Sequence, residues 1–379
     1  MPSRSNDERS SRAPSFGEWD TRSLAVPLGL GAAAYFTWKA LTRLPSVELE
    51  GKVVLITGGS RGLGLALARA FAAEGSRVVI CGRDRRELAR AVDDLDGLGA
   101  EGIGLPCDIT DRVEVKRMVR RIERRVGPID VLVNNAGSVQ VGPVTTFSEE
   151  DFRSEMEANF WGAVHTTLEV LPSMRRRGSG RIVNITSIGG KVAVPHLLPY
   201  TCAKFAEVGF SEGLRAELAR EGIPVTTVVP GLMRTGGPAH ARFRGDPERE
   251  YTWFAVLDAT SATSTSATRA ARRIVRAARK GEAEVTLTWQ AKLLRLTAGI
   301  FPGITAKALG VGNRLLPGAE DGKGRARQVK EGLELNTRWA PSPLTRQMNR
   351  AARDLNQYGG KEDPAPDHAR AVGLDPDAT

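Results

Sequence analysis

A tyrosine and a lysine four residues apart, Tyr200 and Lys204, have the types and spacing best suited to proton chemistry in this chain. On a helix this spacing places both side chains on one face. A free phenol has a pKa of about 10 and is a poor acid at neutral pH, but a neighbouring ammonium group favours the phenolate and lowers that pKa. Tyr200 is therefore a candidate proton donor to a carbonyl oxygen. The alternative is a surface pair without a catalytic role.

A serine that precedes the tyrosine by 13 residues can act on the same oxygen. Ser187 ends the apolar run RIVNITS at 181–187, which predicts a buried strand. Open parallel sheets bind ligands at the carboxyl ends of their strands. A hydroxyl group at that end can donate a hydrogen bond to the oxygen that Tyr200 protonates. The alternative role for Ser187 is to cap the following helix.

A glycine-rich stretch, TGGSRGLG at 57–64, links the apolar run KVVLITG to a predicted helix. Its glycines Gly58, Gly62 and Gly64 allow a tight turn and a close approach of the backbone to a pyrophosphate. The N-terminus of the following helix then stabilises the negative charge of that group. The strand, loop and helix in this order predict a dinucleotide-binding site. The spacing is GxxxGxG rather than GxGxxG.

Two arginines bear on the choice of cofactor. Arg83 follows the second apolar run at 77–82, and Arg61 lies within the glycine-rich stretch. Guanidinium groups suit the 2′-phosphate of NADP(H), whereas an acidic side chain at this place suits the ribose hydroxyl of NAD(H). The sequence therefore favours NADP(H) over NAD(H). Asp84, one residue further along, supports the opposite choice.

Short apolar runs alternate with helical patterns along the middle of the chain. This alternation predicts a single Rossmann-type α/β domain, a doubly wound parallel sheet with helices on both faces, over residues 46–288. The predicted strands lie at 52–58, 77–82, 103–109, 129–137, 181–187 and 224–231, and 284–288 is a candidate last strand.

Taken in order, the motifs of this region resemble the short-chain dehydrogenase/reductase family over residues 51–288, and the glycine spacing resembles its ketoreductase branch. The motifs are TGGSRGLG (57–64), Asp108, NNAG (134–137), Asn159, Ser187, Tyr200 with Lys204, and Pro230-Gly231 with Thr235. The resemblance implies an oxidoreductase that transfers hydride between a nicotinamide and a carbonyl or secondary alcohol. It also implies a homo-oligomer.

The resemblance further implies roles for individual residues. Tyr200 would be the general acid and base, assisted by Lys204, Ser187 and Asn159. Lys204 would also hold the nicotinamide ribose, and Asn159 would position a water molecule in a proton relay. The implied cofactor-binding residues are Gly58, Ser60, Arg61, Gly62, Leu63, Gly64, Arg83, Asp108, Asn135, Ala136, Gly137, Tyr200, Lys204, Pro230, Gly231 and Thr235.

The N-terminal part of the 379-residue chain differs in composition from the predicted domain. Residues 1–22 are polar and predict a disordered leader. Residues 23–45 predict an apolar helix, because Leu24–Trp38 carries no charged side chain. That helix is either a membrane anchor or a helix packed on its own protein, and the length of the uncharged stretch is short for a membrane span.

The C-terminal part is basic. Between Thr265 and Arg350 there are 17 Lys or Arg against 6 Asp or Glu, a net charge of +11, while the whole chain carries +10. Such a region suits an anionic surface, or it is a solvated face. We expect a basic, apolar helical extension at 289–358 and a disordered tail at 359–379. Within the extension, 290–317 is a membrane-lying amphipathic segment, a lid over an apolar pocket, or ordinary helical packing.

Composition excludes several classes of protein. Three widely spaced cysteines do not form a disulfide scaffold, and without a CxxC pair we expect no metal site. We expect Cys202 to be packed in the core. The basic segment lacks interleaved aromatic residues, so we expect no nucleic-acid partner.

We expect a cytoplasmic enzyme, with membrane association through 24–44, 290–317 or both left open. The substrate is expected to be lipophilic because of the N-terminal apolar stretch and the basic, apolar C-terminal extension. The family resemblance implies that the segment 236–262 closes over substrate, and its Trp253 and Phe254 would suit an apolar ligand. The alternative for these two residues is core packing. Two alternatives remain on the same fold: a non-catalytic NADP(H)-binding sensor, and a membrane-surface protein.

Overall fold

The computed structural model describes residues 46–260, 263–318, 329–335, 337 and 345–358. The leader predicted at 1–22, the apolar helix predicted at 23–45 and the tail predicted at 359–379 lie outside these residues.

A sheet of seven parallel strands forms the centre of the fold, in the order β7-β6-β5-β4-β1-β2-β3. Its strands are rich in β-branched residues and are buried almost throughout, as strands covered on both faces must be. The sequence-based expectation of a doubly wound Rossmann sheet is confirmed, including the last strand. The strands are β1 (Val53–Thr57), β2 (Arg77–Gly82), β3 (Gly102–Pro106), β4 (Val131–Asn134), β5 (Arg181–Ile185), β6 (Val225–Val229) and β7 (Glu284–Thr286).

Helices cover both faces of this sheet. One apolar layer packs α1, α2 and α8 against it, and the opposite layer packs α3, α5 and α6. Asp84 and Asp111 cap the N-termini of α2 and α3 with their side chains. The helices are α1 (Gly62–Ala72), α2 (Arg85–Gly97), α3 (Arg112–Arg125), α4 (Glu149–Met156), α5 (Gly162–Arg177), α6 (Leu198–Leu218), α7 (Pro247–Ala259), α8 (Ala267–Lys280), α9 (Trp289–Ile300), α10 (Pro302–Asn313) and α11 (Arg346–Asp354).

The order of the strands reverses between β1 and β4, which lie side by side although two strand–helix units separate them in sequence. Dinucleotides bind Rossmann sheets in the crevice at such a switch point. The glycine-rich loop at the end of β1 and the NNAG segment at the end of β4 therefore lie at the same edge of the sheet.

Short strands extend the fold beyond the central sheet. Arg242–Phe243 pairs with Gln140–Val141 and with Lys330–Glu331, so part of the C-terminal extension returns to the domain. A third apolar cluster surrounds Phe243 and includes residues of α7 and α11. Among the residues that the structure describes, no helix is both long and apolar enough to cross a membrane.

Candidate active site

Helix α6 carries the tyrosine and the lysine of the candidate site in its first two turns. Pro199 lies in the first turn of this helix, where the missing N–H of proline leaves no helical hydrogen bond unmade. Lys204 Nζ lies 5.8 Å from the centroid of the Tyr200 ring. The ammonium group is buried, and only 4% of Lys204 is exposed. The spacing of four residues thus brings the two side chains together on the inner face of the helix.

Ser187 lies at the carboxyl end of β5 and faces the same tyrosine. Its hydroxyl and the Tyr200 ring lie on the same side of Gly189, and the hydroxyl accepts a hydrogen bond of 3.0 Å from the N–H of Gly189. A Cβ atom on Gly189 would lie 3.3 Å from Cε1 of Tyr200, so glycine leaves room for the ring. Ser187 therefore both caps the short turn at 188–190 and contacts the candidate acid.

The phenol of Tyr200 is harder to ionise than its spacing from Lys204 predicts. Burial raises the pKa of Tyr200 above its usual value, and the positive charge of Lys204 and the hydrogen bond from Ser187 only partly offset this effect. The sequence-based expectation of a lowered pKa considered the cation alone. The structure adds the desolvation of the phenolate, which dominates.

Lys204 is held by two oxygen acceptors inside the protein. Its Nζ donates to the carbonyl oxygen of Ile185 at 3.0 Å and to Oε2 of Glu207 at 2.7 Å. Burial acts against the charged ammonium group, but the carboxylate of Glu207 and the phenol of Tyr200 outweigh it and raise the pKa of Lys204. Burial also raises the pKa of Glu207 to about 7, although Lys204 acts in the opposite direction. Sequence reasoning missed Glu207, whose position on the buried face of α6 was the available signal.

Asn159 lies in a π-helical turn, Glu157–Trp161, between α4 and α5. Such turns often mark functional sites. Its Nδ2 donates to the carbonyl oxygens of Ser138 and Glu155 and to Oε2 of Glu155, which fixes the amide. Its Oδ1 is buried and has no partner among the described residues. A Cβ atom on Gly137 would collide with this oxygen and lie 3.8 Å from Nζ of Lys204. The free acceptor of Asn159 and the ammonium of Lys204 thus flank one glycine.

Glu155, which sequence reasoning also missed, supports Asn159 from one helical turn earlier. It is fully buried, and burial raises the pKa of its carboxyl group. Its Oε1 accepts from the hydroxyl of Ser138 at 3.0 Å and lies 3.7 Å from a guanidinium nitrogen of Arg242. The spacing of four between Glu155 and Asn159 within a helical pattern was the signal in the sequence.

The glycine-rich loop is fixed to the neighbouring strand by Asn135. Nδ2 of Asn135 donates to the carbonyl oxygens of Thr57 and Gly58, and Thr57 Oγ1 accepts from the N–H groups of Asn135 and Ala136. Gly58 has a φ of 62°, and a Cβ atom there would lie 2.9 Å from Cα of Ala136. Glycine is therefore required at this crossing of two loops. The N–H of Leu63, at the N-terminus of α1, has no acceptor among the described residues and is available to an anion.

The two arginines expected at the adenosine ribose differ in their surroundings. Arg61 forms an ion pair of 2.8 Å with Glu87, whose other oxygen accepts from the hydroxyl of Ser60 at 3.2 Å. Arg83 is exposed, and none of the described residues forms an ion pair with it. Asp84, the residue that supports NAD(H), is engaged in capping α2. The free guanidinium group at the end of β2 is thus that of Arg83.

The remaining residues of the implied cofactor set follow β3 and β6. Asp108 closes the turn after β3, where its Oδ1 accepts from the N–H and the hydroxyl of Thr110. The carbonyl oxygen of Pro230 accepts from the N–H of Ile188, which joins the loop after β6 to the serine turn. Gly231 packs against Thr288, and Thr235 lies in the same loop. All of these groups lie at the carboxyl edge of the sheet.

Cysteine burial differs from expectation at one position. Cys81 and Cys107 are buried, and burial raises the pKa of Cys81 to about 12. Cys202 is exposed, so the expectation that it packs in the core is wrong. It follows Tyr200 by two residues, which on a helix turns its side chain toward the opposite face.

The parallel sheet and the glycine-rich loop at its switch point are features of one family of oxidoreductases. A model of the family described as short chain dehydrogenase matches residues 52–242. The chain belongs to this family.

Individual relatives agree with this assignment. The chain is 34% identical over 276 residues to dehydrogenase/reductase SDR family member 7B of Danio rerio, covering 69% of this chain and 88% of that protein. It is 38% identical over 189 residues to the ketoacyl reductase HetN of Nostoc, covering 50% of this chain and 66% of that protein.

Solved structures share the fold as well. A variant of actinorhodin polyketide ketoreductase with NADPH superposes with a TM-score of 0.57 at 31% identity, covering 62% of this chain and 95% of that chain. A short-chain dehydrogenase from Streptomyces avermitilis gives a TM-score of 0.60 at 32% identity, covering 70% of this chain and 97% of that chain. These likenesses support the ketoreductase-like branch that the glycine spacing predicts.

Proposed function

We propose that the protein is an NADP(H)-dependent reductase of carbonyl groups, or dehydrogenase of secondary alcohols, with Tyr200 as its acid and base. One observation carries the proposal: the hydroxyl of Ser187, the phenol of Tyr200 and the ammonium of Lys204 converge at the carboxyl end of β5. This edge of the sheet also carries the glycine-rich loop, where the free N–H of Leu63 and the small residues fit a dinucleotide.

When bound, the nicotinamide supplies hydride to the substrate carbon or accepts it from there. Tyr200 donates its proton from Oη to the carbonyl oxygen of the substrate, and Ser187 donates a hydrogen bond to the same oxygen. The charge of Lys204 stabilises the phenolate that remains. The free Oδ1 of Asn159 holds a water molecule from which the proton of the site is restored. In the reverse direction the same groups accept a proton from an alcohol.

The preference for NADP(H) rests on Arg83. Its guanidinium group is exposed at the end of β2 and suits a 2′-phosphate. Arg61 contributes less to this proposal, because Glu87 already neutralises it. The NADPH named with the actinorhodin ketoreductase structure supports the same choice.

The substrate is apolar in this proposal. Tyr200 borders the apolar cluster around Phe243, to which Trp253 and Phe254 of α7 also belong. Apolar and aromatic side chains next to the phenol suit a lipophilic ketone or alcohol. The relatives that are ketoacyl and polyketide ketoreductases support a carbonyl group as the reacting part of the substrate.

A membrane surface is the second partner that we propose, through α9 and α10. These helices bury little of their surface, and the exposed apolar side chains recur at helical spacing on one stripe of each: Trp289, Leu293, Leu296 and Ile300 on α9, and Ile304 and Val311 on α10. No acidic residue occurs between Trp289 and Gly318, while Lys292 and Lys307 flank the stripes. An apolar stripe with basic flanks suits the interface of an anionic bilayer.

Two further expectations remain part of this proposal. The enzyme is a homo-oligomer in solution, as its family implies, and it works in the cytoplasm at or near a membrane. The competing hypothesis, a sensor that binds NADP(H) without turnover, has no use for the complete set of Ser187, Tyr200, Lys204 and Asn159.

The test is oxidation of NADPH and NADH by the full chain, purified in detergent, with ketones ranging from short and polar to long-chain and polycyclic. We expect turnover with NADPH and an apolar ketone, and a loss of at least about a thousandfold in Tyr200→Phe with dinucleotide binding retained. Turnover of small polar ketones alone would refute the apolar substrate. Tight binding of NADPH without turnover of any carbonyl would favour the sensor.

A further inference from the structure

A short segment near the C-terminal end of the described chain lies against the glycine-rich loop. We call Leu355–Gln357, which follow α11, the C-terminal clasp. The carbonyl oxygen of Leu355 accepts a hydrogen bond of 2.9 Å from the N–H of Gly62, the first residue of α1. Two parts of the chain separated by almost 300 residues thus meet at the predicted dinucleotide site, with Asn356 and Ser60 lying 296 residues apart in sequence.

Asn356 anchors the clasp to one rim of the cleft. Its Nδ2 donates to the carbonyl oxygens of Ser60 at 2.9 Å and Glu87 at 3.1 Å, and its Oδ1 accepts from Nε of Arg90 at 2.7 Å. The backbone φ of Asn356 is 58°, a left-handed conformation that asparagine adopts more readily than most residues. The residue type, its conformation and its three contacts are therefore mutually consistent.

Gln357 anchors the clasp to the opposite rim. Its side-chain Nε2 donates to the carbonyl oxygen of Thr235 at 2.7 Å. Its backbone carbonyl oxygen lies 2.7 Å from Nε2 of His240. Burial of the charged imidazole lowers the pKa of His240, and the neighbouring Arg61 adds to this effect. The clasp therefore spans the cleft from the glycine-rich loop to the loop after β6.

The side-chain carbonyl of Gln357 has no hydrogen-bond donor. Oε1 is buried, the residue is only 4% exposed, and no described residue donates to this oxygen. Rotating the amide would place this oxygen against the carbonyl of Thr235, so the contact fixes which atom is the acceptor. Buried acceptors are rarely left unpaired, and the free one lies beside the loop where a dinucleotide would bind. Nε2 of the same amide is 2.7 Å from the position of a Cβ atom on Gly62.

We propose that the clasp closes over the bound dinucleotide and that Oε1 of Gln357 accepts a hydrogen bond from one of its hydroxyl or amide N–H groups. This inference rests on the proposed function. Three contacts of the clasp use the carbonyl oxygens of Ser60, Glu87 and Thr235, which an anion cannot use, whereas Leu355 takes up the N–H of Gly62. The N–H of Leu63 stays free for a phosphate. The clasp thus occupies the rims of the cleft and leaves a donor for the anion.

The first experiment measures the affinity of the full chain for NADPH and for NADH without substrate, by calorimetry. We compare wild type with Asn356→Gly, which keeps the left-handed backbone accessible but removes the side-chain anchors, and with Gln357→Met, which removes the amide at similar size. Arg353→Gln is the control, because Arg353 is exposed in the last turn of α11, just before the clasp. We expect each clasp variant to bind NADPH about tenfold more weakly, and the control to match wild type. Gln357→Met loses one hydrogen bond to the dinucleotide, and Asn356→Gly loses the contacts that position the clasp.

A second experiment follows amide hydrogen exchange of wild type with and without NADPH. Slower exchange at 355–358 on binding is the expected result. Faster exchange, together with tighter binding by the clasp variants, would mean that the segment occupies the place of the dinucleotide and must leave it. Equal affinity of wild type and both variants would overturn the proposed role of the clasp and leave the proposed function unaffected. If wild type binds neither dinucleotide, the proposed function itself fails.

Discussion

Nζ of Lys204 and Oε2 of Glu207 form a buried ion pair of 2.7 Å, with 5% and 2% of their side chains exposed. Both charges of the pair act on the pKa of the Tyr200 phenol. Glu207 raises the pKa of Lys204 and also acts to raise the pKa of the Tyr200 phenol. The carboxylate therefore keeps the ammonium charged at alkaline pH while making the phenolate harder to form.

Glu207→Gln tests this balance, because glutamine can still accept a hydrogen bond from Lys204 but carries no charge. Both limbs of the pH profile of kcat/KM for alcohol oxidation should move to lower pH, by about half a unit to one unit. The acidic limb moves because the pKa of Tyr200 falls, so the phenolate forms at lower pH. The alkaline limb moves because the pKa of Lys204 falls, so the ammonium loses its proton at lower pH. Glu212→Gln, an exposed site on the same helix, is the control. An unchanged profile would show that Glu207 has only a packing role, and a profile that moves to higher pH would contradict the charge effect.

Much of the fold could be predicted because its signals are local. The buried strands read as β-branched runs, and the glycine-rich turn lies between a strand and a helix in the sequence itself. Tyr200 and Lys204 could be paired for the same reason, since a helix fixes which residues share a face. Ser187 required one further step, the rule that parallel strands end at the same edge.

What the sequence could not reveal depends on burial and on contacts between distant residues. Glu207 appears in the sequence as an ordinary charged residue of a helix, and only packing places it against Lys204. The pairing of Arg61 with Glu87 joins a loop to a helix 26 residues away. The contact of Asn356 with Ser60 spans nearly the whole described chain, so no local pattern could have indicated it.

Arg83→Ala should weaken binding of NADPH about tenfold or more and leave binding of NADH nearly unchanged, because only NADPH carries the 2′-phosphate. Arg61→Ala should have a smaller effect on NADPH, since its guanidinium group is already paired with Glu87. Dissociation constants for both dinucleotides provide the measurement, with Arg117→Ala on the exposed face of α3 as control. Equal losses for the two dinucleotides in Arg83→Ala would contradict a role at the phosphate.

The buried carboxyl group of Asp258 should make the stability of the fold depend on pH. Burial raises the pKa of this carboxyl group to about 7, although the N–H of Met233 and the charge of Arg234 act to lower it. Between about pH 4 and pH 7 the folded protein retains a proton that the unfolded chain releases, so the free energy of unfolding falls as pH rises through this range. Oδ2 has no hydrogen-bond partner among the described residues, so Met233 and Arg234 compensate the anion only in part.

Asp258→Asn should remove this loss, because asparagine can still accept from Met233 but cannot ionise. Relative to wild type, the variant should gain up to about 4 kcal/mol in unfolding free energy between about pH 4 and pH 8, from a shift of about three units. Urea unfolding at the two pH values gives the measurement, and Asp93→Asn on the exposed face of α2 is the control. A gain that is the same at both pH values would point to packing rather than to ionisation.

Substitutions on α9 and α10 test the proposed membrane surface. Leu296 and Ile304 are 57% and 68% exposed, and each should enter the headgroup region of a bilayer. Leu296→Glu with Ile304→Glu should reduce binding to vesicles of phosphatidylglycerol and phosphatidylcholine more than tenfold, because burial of an apolar side chain contributes about 1.5–3 kcal/mol. Binding of wild type should also weaken with added salt, since the basic flanks act through charge.

Leu98→Glu is the matched control for this experiment, because Leu98 is 62% exposed at the end of α2, away from the two stripes. If the double variant binds vesicles as well as wild type and Leu98→Glu do, α9 and α10 do not form the membrane surface. Equal binding of wild type to neutral and anionic vesicles would contradict the part assigned to Lys292 and Lys307. Loss of binding in the double variant alone, with dinucleotide affinity retained, is the outcome that an apolar stripe with basic flanks requires.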